Sequence, residues 1–286
     1  MLFSQIFFSA PPAFIASPSD KEMLYLQIFF ILFFLASGVP FFWRLSASKG
    51  PRNVGFDMSL ADFFMVSAMV VASILFGSFF GSATARFFSE DVENKSFAGT
   101  AAMHVLAIFS VLIFARISDS KPVFFWGGGL RGKLNIWFKG AGYLAGTLLC
   151  ILAVANIWAM ILLEFGIEPS EQDVVEYFGS SEGIARVFAF ISIAFIAPVA
   201  EELVFRGALS GALKNKIGAV AAALIVSALF GAIHFNMVAF LPIFVLSLLL
   251  ILLYERYGDL TAPIAAHSAF NTIMAVLILF RDYLNV

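Results

Sequence analysis

Three stretches in the last third of the sequence combine residue types able to move protons or hold charge. The first reads Ala197-Pro198-Val199-Ala200-Glu201-Glu202-Leu203-Val204-Phe205-Arg206-Gly207, with two adjacent carboxylates and a guanidinium in an apolar run. The second carries Phe230 and His234, and the third carries His267 and Asn271, each pair four residues apart. On a helix, that spacing puts both members of a pair on one face. Glu202 and Arg206 are also four apart, with the carboxylate on the N-terminal side, the favourable order for a helical ion pair. Glu201 projects about 100° away from Glu202 and has no partner on its own helix, which suits a general base. The two carboxylates are therefore expected to do different jobs.

Taken singly, each group has a blander reading. A Glu–Arg pair in a bundle can be an inert ion pair, a membrane histidine can be an interhelical hydrogen-bond partner, and an asparagine can be packing glue. It is their joint occurrence at helical spacing that points to a site. Glu201, His234 and His267 could also form a zinc set. No His-Glu-x-x-His helix is present, however, and the three ligands would come from separate helices. The expectation is therefore a water activated by glutamate with no cofactor, a metal such as zinc being the less favoured reading.

The elements that must position these groups are membrane helices. Of 286 residues, 61% are hydrophobic and 13% charged, and 36 are phenylalanine; an ordinary soluble domain carries about 25% charged residues. A soluble fold could not hide this much apolar surface, whereas a lipid-facing one need not. Spans need about 20 apolar residues, and they are expected at 23–43, 58–82, 97–115, 136–163, 184–205, 218–236, 238–256 and 262–280, the fifth continuing as helix to about Leu213. The fold class is thus all-α, a polytopic bundle of about eight transmembrane helices. Residues 1–183 form an N-terminal transmembrane region without a matched motif, and 184–286 form the core that carries the polar groups. At a rise of about 1.5 Å per residue, Glu201, His234, His267 and Asn271 fall within about 10 Å of one depth, compatible with a single site between the fifth, sixth and eighth spans. Ionisable groups in hydrocarbon are costly and so are functional candidates. Asp62 and His104 are read as interfacial, since they lie near the ends of expected spans.

The remaining features exclude more than they suggest. One cysteine, Cys150, permits no intrachain disulfide, and a net charge of −2 argues against nucleic acid. Trp126-Gly127-Gly128-Gly129 lacks the Lys-Ser/Thr of a phosphate loop and reads as a turn. Met1 to Ala16 is apolar, has no basic residue and is broken by Pro11-Pro12, so a short interfacial or re-entrant segment is expected rather than a signal peptide. Thr261 and Pro263 look like a helix start.

Glu201-Glu202-x-x-x-Arg206, Phe230-x-x-x-His234 and His267-x-x-x-Asn271 resemble, in order, the three motifs of the CAAX protease and bacteriocin-processing (CPBP, or ABI) family, similar to the type II CAAX prenyl endopeptidase. The resemblance covers roughly residues 185–280. It implies a helical membrane core and a glutamate-dependent intramembrane endopeptidase. Glu201 and His234 would position and activate a water, His267 and Asn271 would bind the oxyanion, and Glu202, Arg206 and Phe230 would support the site. The implied partners are a peptide or lipidated protein substrate and membrane lipids, in a bacterial cytoplasmic (inner) membrane. The competing function is a non-catalytic scaffold or bacteriocin-immunity protein on the same fold. A transporter is a third class, but neither an inverted repeat nor paired broken helices are visible.

Lys and Arg counts set the orientation. Arg44, Lys49 and Arg52 follow the first span, Arg116, Lys121, Arg131, Lys133 and Lys139 the third, and Lys214 and Lys216 the fifth, whereas the alternate loops are acidic. With Cys150 replaced, single cysteines in 45–57 and 116–135 should label from the cytoplasmic side and those in 164–183 from outside. Labelling of 164–183 only from the cytoplasmic side would reverse the orientation.

Overall fold

The computed structural model describes residues 18–47, 60–88, 92–117, 129–167 and 173–284. The expected interfacial segment before residue 18, the Trp126-Gly127-Gly128 turn and most of the loops used for orientation lie outside the described residues. The described chain forms helices α1 (Pro18–Ser46), α2 (Leu60–Phe88), α3 (Val92–Ile117), α4 (Gly129–Glu164), α5 (Asp173–Ser180), α6 (Gly183–Ile217), α7 (Ala219–Ala232), α8 (Met237–Tyr257) and α9 (Thr261–Leu284). Seven of these, all but α5 and α7, are long and apolar enough to cross a bilayer, so the chain is an all-α, multi-pass integral membrane protein. The long apolar faces that remain exposed, such as Phe29, Phe33, Phe76 and Phe79, are what a lipid solvent requires.

All eight expected segments are helical, but the sixth is shorter than its hydropathy suggests. Helix α7 has 14 residues, about 21 Å at 1.5 Å per residue, against a hydrocarbon core of about 30 Å. It stops because the chain then takes two conformations unfit for a helix. Phe235 has φ +48°, and Asn236 is extended, its side chain capping α8 by accepting from the Ala239 N–H at 2.9 Å. The turn satisfies its own backbone, with Ile233 N–H bonded to Leu229 O, His234 to Gly231 O and Phe235 to Ala232 O. The expected common helical face of Phe230 and His234 is accordingly replaced by a helix terminus, with His234 in the turn.

Helix pairing relies on close backbone approach, because lipid supplies no hydrophobic drive between helices. Gly77 and Gly81 lie one turn apart on α2 and face α3. A Cβ on Gly77 would stand 2.7 Å from the backbone N and Cα of Met103, and one on Gly99 would stand 3.1 Å from the Gly77 carbonyl oxygen. Helices α2 and α3 also share an apolar cluster with the C-terminal helices, in which Val66, Val111 and Phe114 pack with Leu203, Ala208, Tyr254 and Leu260. The N-terminal region is thus part of the same core as residues 184–286. Helix α4 is tied to the turn before α9 by an ion pair between Lys133 and the buried Asp259. Asp259 also accepts the N–H of Thr261 at 2.8 Å, which starts α9 where the sequence placed it.

Because the neighbour of Gly77 is backbone rather than a flexible side-chain end, Gly77→Val should destabilise the folded protein by about 1–3 kcal/mol. Thermal unfolding in detergent measures this. A variant as stable as the parent would refute the close α2–α3 contact.

Candidate active site

Helix α6 carries both carboxylates on a six-residue α-helical stretch, Ala197–Glu202, set between two π-helical segments, Ser192–Ile196 and Leu203–Ser210. The first π segment lies one turn before Pro198, where a lost backbone hydrogen bond is expected to open the helix. Its register explains more. The Ala197 N–H bonds to Ser192 O, five residues back. The next bond in that register would run from residue 198 to Ile193 O, but proline has no N–H to give. The amide Nδ2 of Asn271 donates to Ile193 O instead, at 2.9 Å. A side chain of α9 thereby satisfies the carbonyl that Pro198 leaves, and one of its two amide protons is committed to the backbone.

Glu202 and Arg206 are both fully buried and paired, with Arg206 Nη1 donating to Glu202 Oε1 at 2.9 Å. Arg206 Nη2 donates to Ser247 Oγ at 2.7 Å and to Ser247 O at 3.2 Å, and the guanidinium carbon lies 4.5 Å from the centre of the Phe230 ring. His267 Nδ1 donates to the same Oε1 of Glu202 at 2.9 Å. One ion pair therefore joins α6 to Phe230 on α7, Ser247 on α8 and His267 on α9. Phe230 is the packing centre, with its ring edge-on to Phe205, His234 and His267 at 5.0, 5.2 and 5.7 Å.

Glu201 faces a different set of groups. His267, held at Nδ1 by Glu202, turns its Nε2 toward Glu201 Oε2 at 3.7 Å. Those two atoms are too far apart for a direct bond. That separation is compatible with a bridging water about 2.8 Å from each atom. Oε2 of Glu201 is buried and has no protein partner. His234 Nδ1 lies 2.6 Å from the carbonyl of Phe230. A carbonyl only accepts, so Nδ1 carries a proton and is committed to the backbone. His234 departs from simple helical spacing because it lies in the turn after α7, whereas His267 and Asn271 share α9 four residues apart, as expected, and both reach α6.

His104 is the residue that sequence reasoning missed. Its Nε2 lies 3.4 Å from Glu201 Oε1, and its side chain is only 14% exposed, so the interfacial expectation is wrong. The apolar span runs over Phe97–Arg116, as expected, inside a helix that starts at Val92. Hydropathy marks the apolar part of a helix and misses its charged first turn, Val92-Glu93-Asn94-Lys95, so His104 falls in mid-helix. A signal did exist: the chain has only three histidines, and this one stands in an apolar run. Asp62, by contrast, is in the first turn of α2, where the helix dipole favours a carboxylate. Among the described residues no group of three His, Cys, Asp or Glu side chains is arranged to hold a metal ion.

Comparison with known proteins locates the likeness in this half of the chain. The family profile described as type II CAAX prenyl endopeptidase Rce1-like matches residues 183–273, which contain all three motifs. The chain is also similar to a protein named "Putative membrane peptidase YdiL" from Bacillus subtilis (strain 168), at 33% identity over 92 residues. That match covers 32% of this chain, and the chain spans 38% of the relative's length. No solved structure matches.

If Asn271 supplies the bond that Pro198 cannot, their effects are coupled. Asn271→Ala should cost about 1–3 kcal/mol of stability by orphaning a buried carbonyl. In a Pro198→Ala background, where residue 198 regains an N–H, the same substitution should cost markedly less. Equal costs in both backgrounds, read by thermal unfolding, would refute the substitution of side chain for backbone.

Proposed function

We propose that this chain is an intramembrane endopeptidase, and that Glu201 is the general base that activates the attacking water. The observation that carries the reading is the asymmetry of the two adjacent carboxylates. Glu202 accepts from both Arg206 and His267 at Oε1, while Glu201 has no guanidinium partner and lies between two imidazole nitrogens, 3.4 Å from that of His104 and 3.7 Å from that of His267. Glu201 takes a proton from the water as its oxygen bonds to the scissile carbonyl carbon. His267, oriented through Nδ1 as an imidazole is by the carboxylate of a catalytic triad, presents Nε2 to the same space, where in its protonated form it stabilises the oxyanion. Collapse of the tetrahedral intermediate breaks the C–N bond, and the proton held by Glu201 passes to the leaving amine. Preorganised donors in a site with little water are a large catalytic term.

The match to the endopeptidase profile and the similarity to a membrane peptidase support hydrolysis of a peptide bond. The substrate is a peptide or lipidated protein segment that reaches into the bilayer, and a bacterial cytoplasmic membrane is the proposed location.

The test is turnover of a pool of quenched-fluorescent peptides by the full-length protein in liposomes. Glu201→Gln preserves size and removes the base, so the cleavage rate per folded molecule should fall about 100- to 10,000-fold with little change in thermal stability. A Glu201→Gln variant of near-normal specific activity would reject the mechanism.

A further inference from the structure

We propose that His104 is a positioning residue of this site, donated by the N-terminal half of the chain: it holds one oxygen of Glu201 so that the other is aimed at the reacting water. The proposal deepens the endopeptidase reading and rests on Glu201 being the base. Two imidazoles meet the two oxygens of Glu201 separately. His104 Nε2 lies 3.4 Å from Oε1, and His267 Nε2 lies 3.7 Å from Oε2. Oε1 is therefore the oxygen with the nearer imidazole, at ion-pair distance, and Oε2 is the buried one without a hydrogen-bond partner. The last torsion of a glutamate is broad and nearly two-fold, so an untethered carboxylate would present either oxygen at variable angles. A donor on Oε1 removes that freedom and leaves the lone pairs of Oε2 for the proton.

The placement of His104 is built into the bundle. It follows Met103, whose backbone is the surface against which Gly77 packs, so a close contact of α2 with α3 sits one residue from the donor. His104 also lies outside residues 183–273, the stretch that matches the endopeptidase profile. The reacting carboxylate is thus oriented by a helix to which no motif drew attention.

The experiment compares His104→Leu, which keeps bulk and loses the donor, with His104→Gln, whose amide nitrogen can occupy the place of Nε2. Both are assayed in liposomes on the fluorogenic peptide pool, beside the parent and Glu201→Gln, with thermal unfolding of each. His104→Leu should lose about 10- to 100-fold in kcat, the scale of a misplacement of about 1 Å, at unchanged KM and unfolding temperature. His104→Gln should recover most of that loss. If His104→Leu does not fold, His104→Asn, whose amide is too short to reach, takes its place with the same expected kcat loss. The positioning role is overturned if the non-donating variant turns over at the parental rate. It is equally overturned if both variants lose activity only in proportion to their folded fraction, or if the Gln variant is as impaired as the Leu one. Those results with an inactive Glu201→Gln reject His104 alone. An active Glu201→Gln, or a parent that cleaves nothing, rejects the endopeptidase reading and this role with it.

Discussion

The C-terminal half of the bundle depends on one buried ion pair. Arg206 and Glu202 have no exposed surface, and charges so placed are expensive unless their bonding is nearly complete. Four helices contribute to meeting that demand: the pair itself on α6, the Ser247 hydroxyl and carbonyl on α8, the face of Phe230 on α7 and the imidazole of His267 on α9, with Arg206 Nε and Glu202 Oε2 left as buried atoms without a hydrogen-bond partner. In lipid, where apolar contact between helices gains little over contact with acyl chains, such bonds are a principal source of specific assembly. The cost of burying the charges is offset only when all four helices are in place, so the ion pair also fixes their mutual registry.

The division of labour between neighbouring carboxylates follows from this arrangement. Glu202 is consumed by architecture. Glu201, rotated about 100° on the same helix, points instead toward His267 and His104. The local backbone sharpens the difference. Pro198 forces a π register before the glutamates, and Asn271 repairs the resulting loss at Ile193. Such π insertions are frequent at functional sites. The same repair docks α9 against the start of the segment, so His267 and Asn271 hold α6 one above the other, through a carboxylate and a carbonyl.

What could be read from the sequence was whatever depends on spacing along a single helix. The Glu202–Arg206 pair, the helix start at Thr261 and the opening before Pro198 all follow from local rules, and the structure has each of them. Hydropathy likewise located the apolar segments, because the lipid requirement acts residue by residue. Contacts between helices were not legible. Nothing along α3 says that His104 will meet Glu201, since that depends on how Gly77 and Gly99 let two helices approach. The early end of α7 was missed for a related reason. Its residues are apolar throughout, and it is Phe235 with Asn236, a turn and a cap, that end the helix and leave His234 bonding to Phe230 O. Asn271 reads as a polar group for substrate by motif, whereas its observed bond is to a carbonyl that becomes needy only after the π register is known.

Glu201 is left for chemistry because Glu202 and Arg206 act as one structural unit. A double-mutant cycle in thermal or chemical unfolding tests it most directly, with Glu202→Met, Arg206→Met and the double variant. Each single substitution strands a buried charge and should cost about 3–5 kcal/mol. The double variant removes both charges and should cost less than the sum by roughly 1–3 kcal/mol. Costs that add to within about 0.5 kcal/mol would show that the pair is not coupled, and the partition of roles between the two glutamates would fall with it.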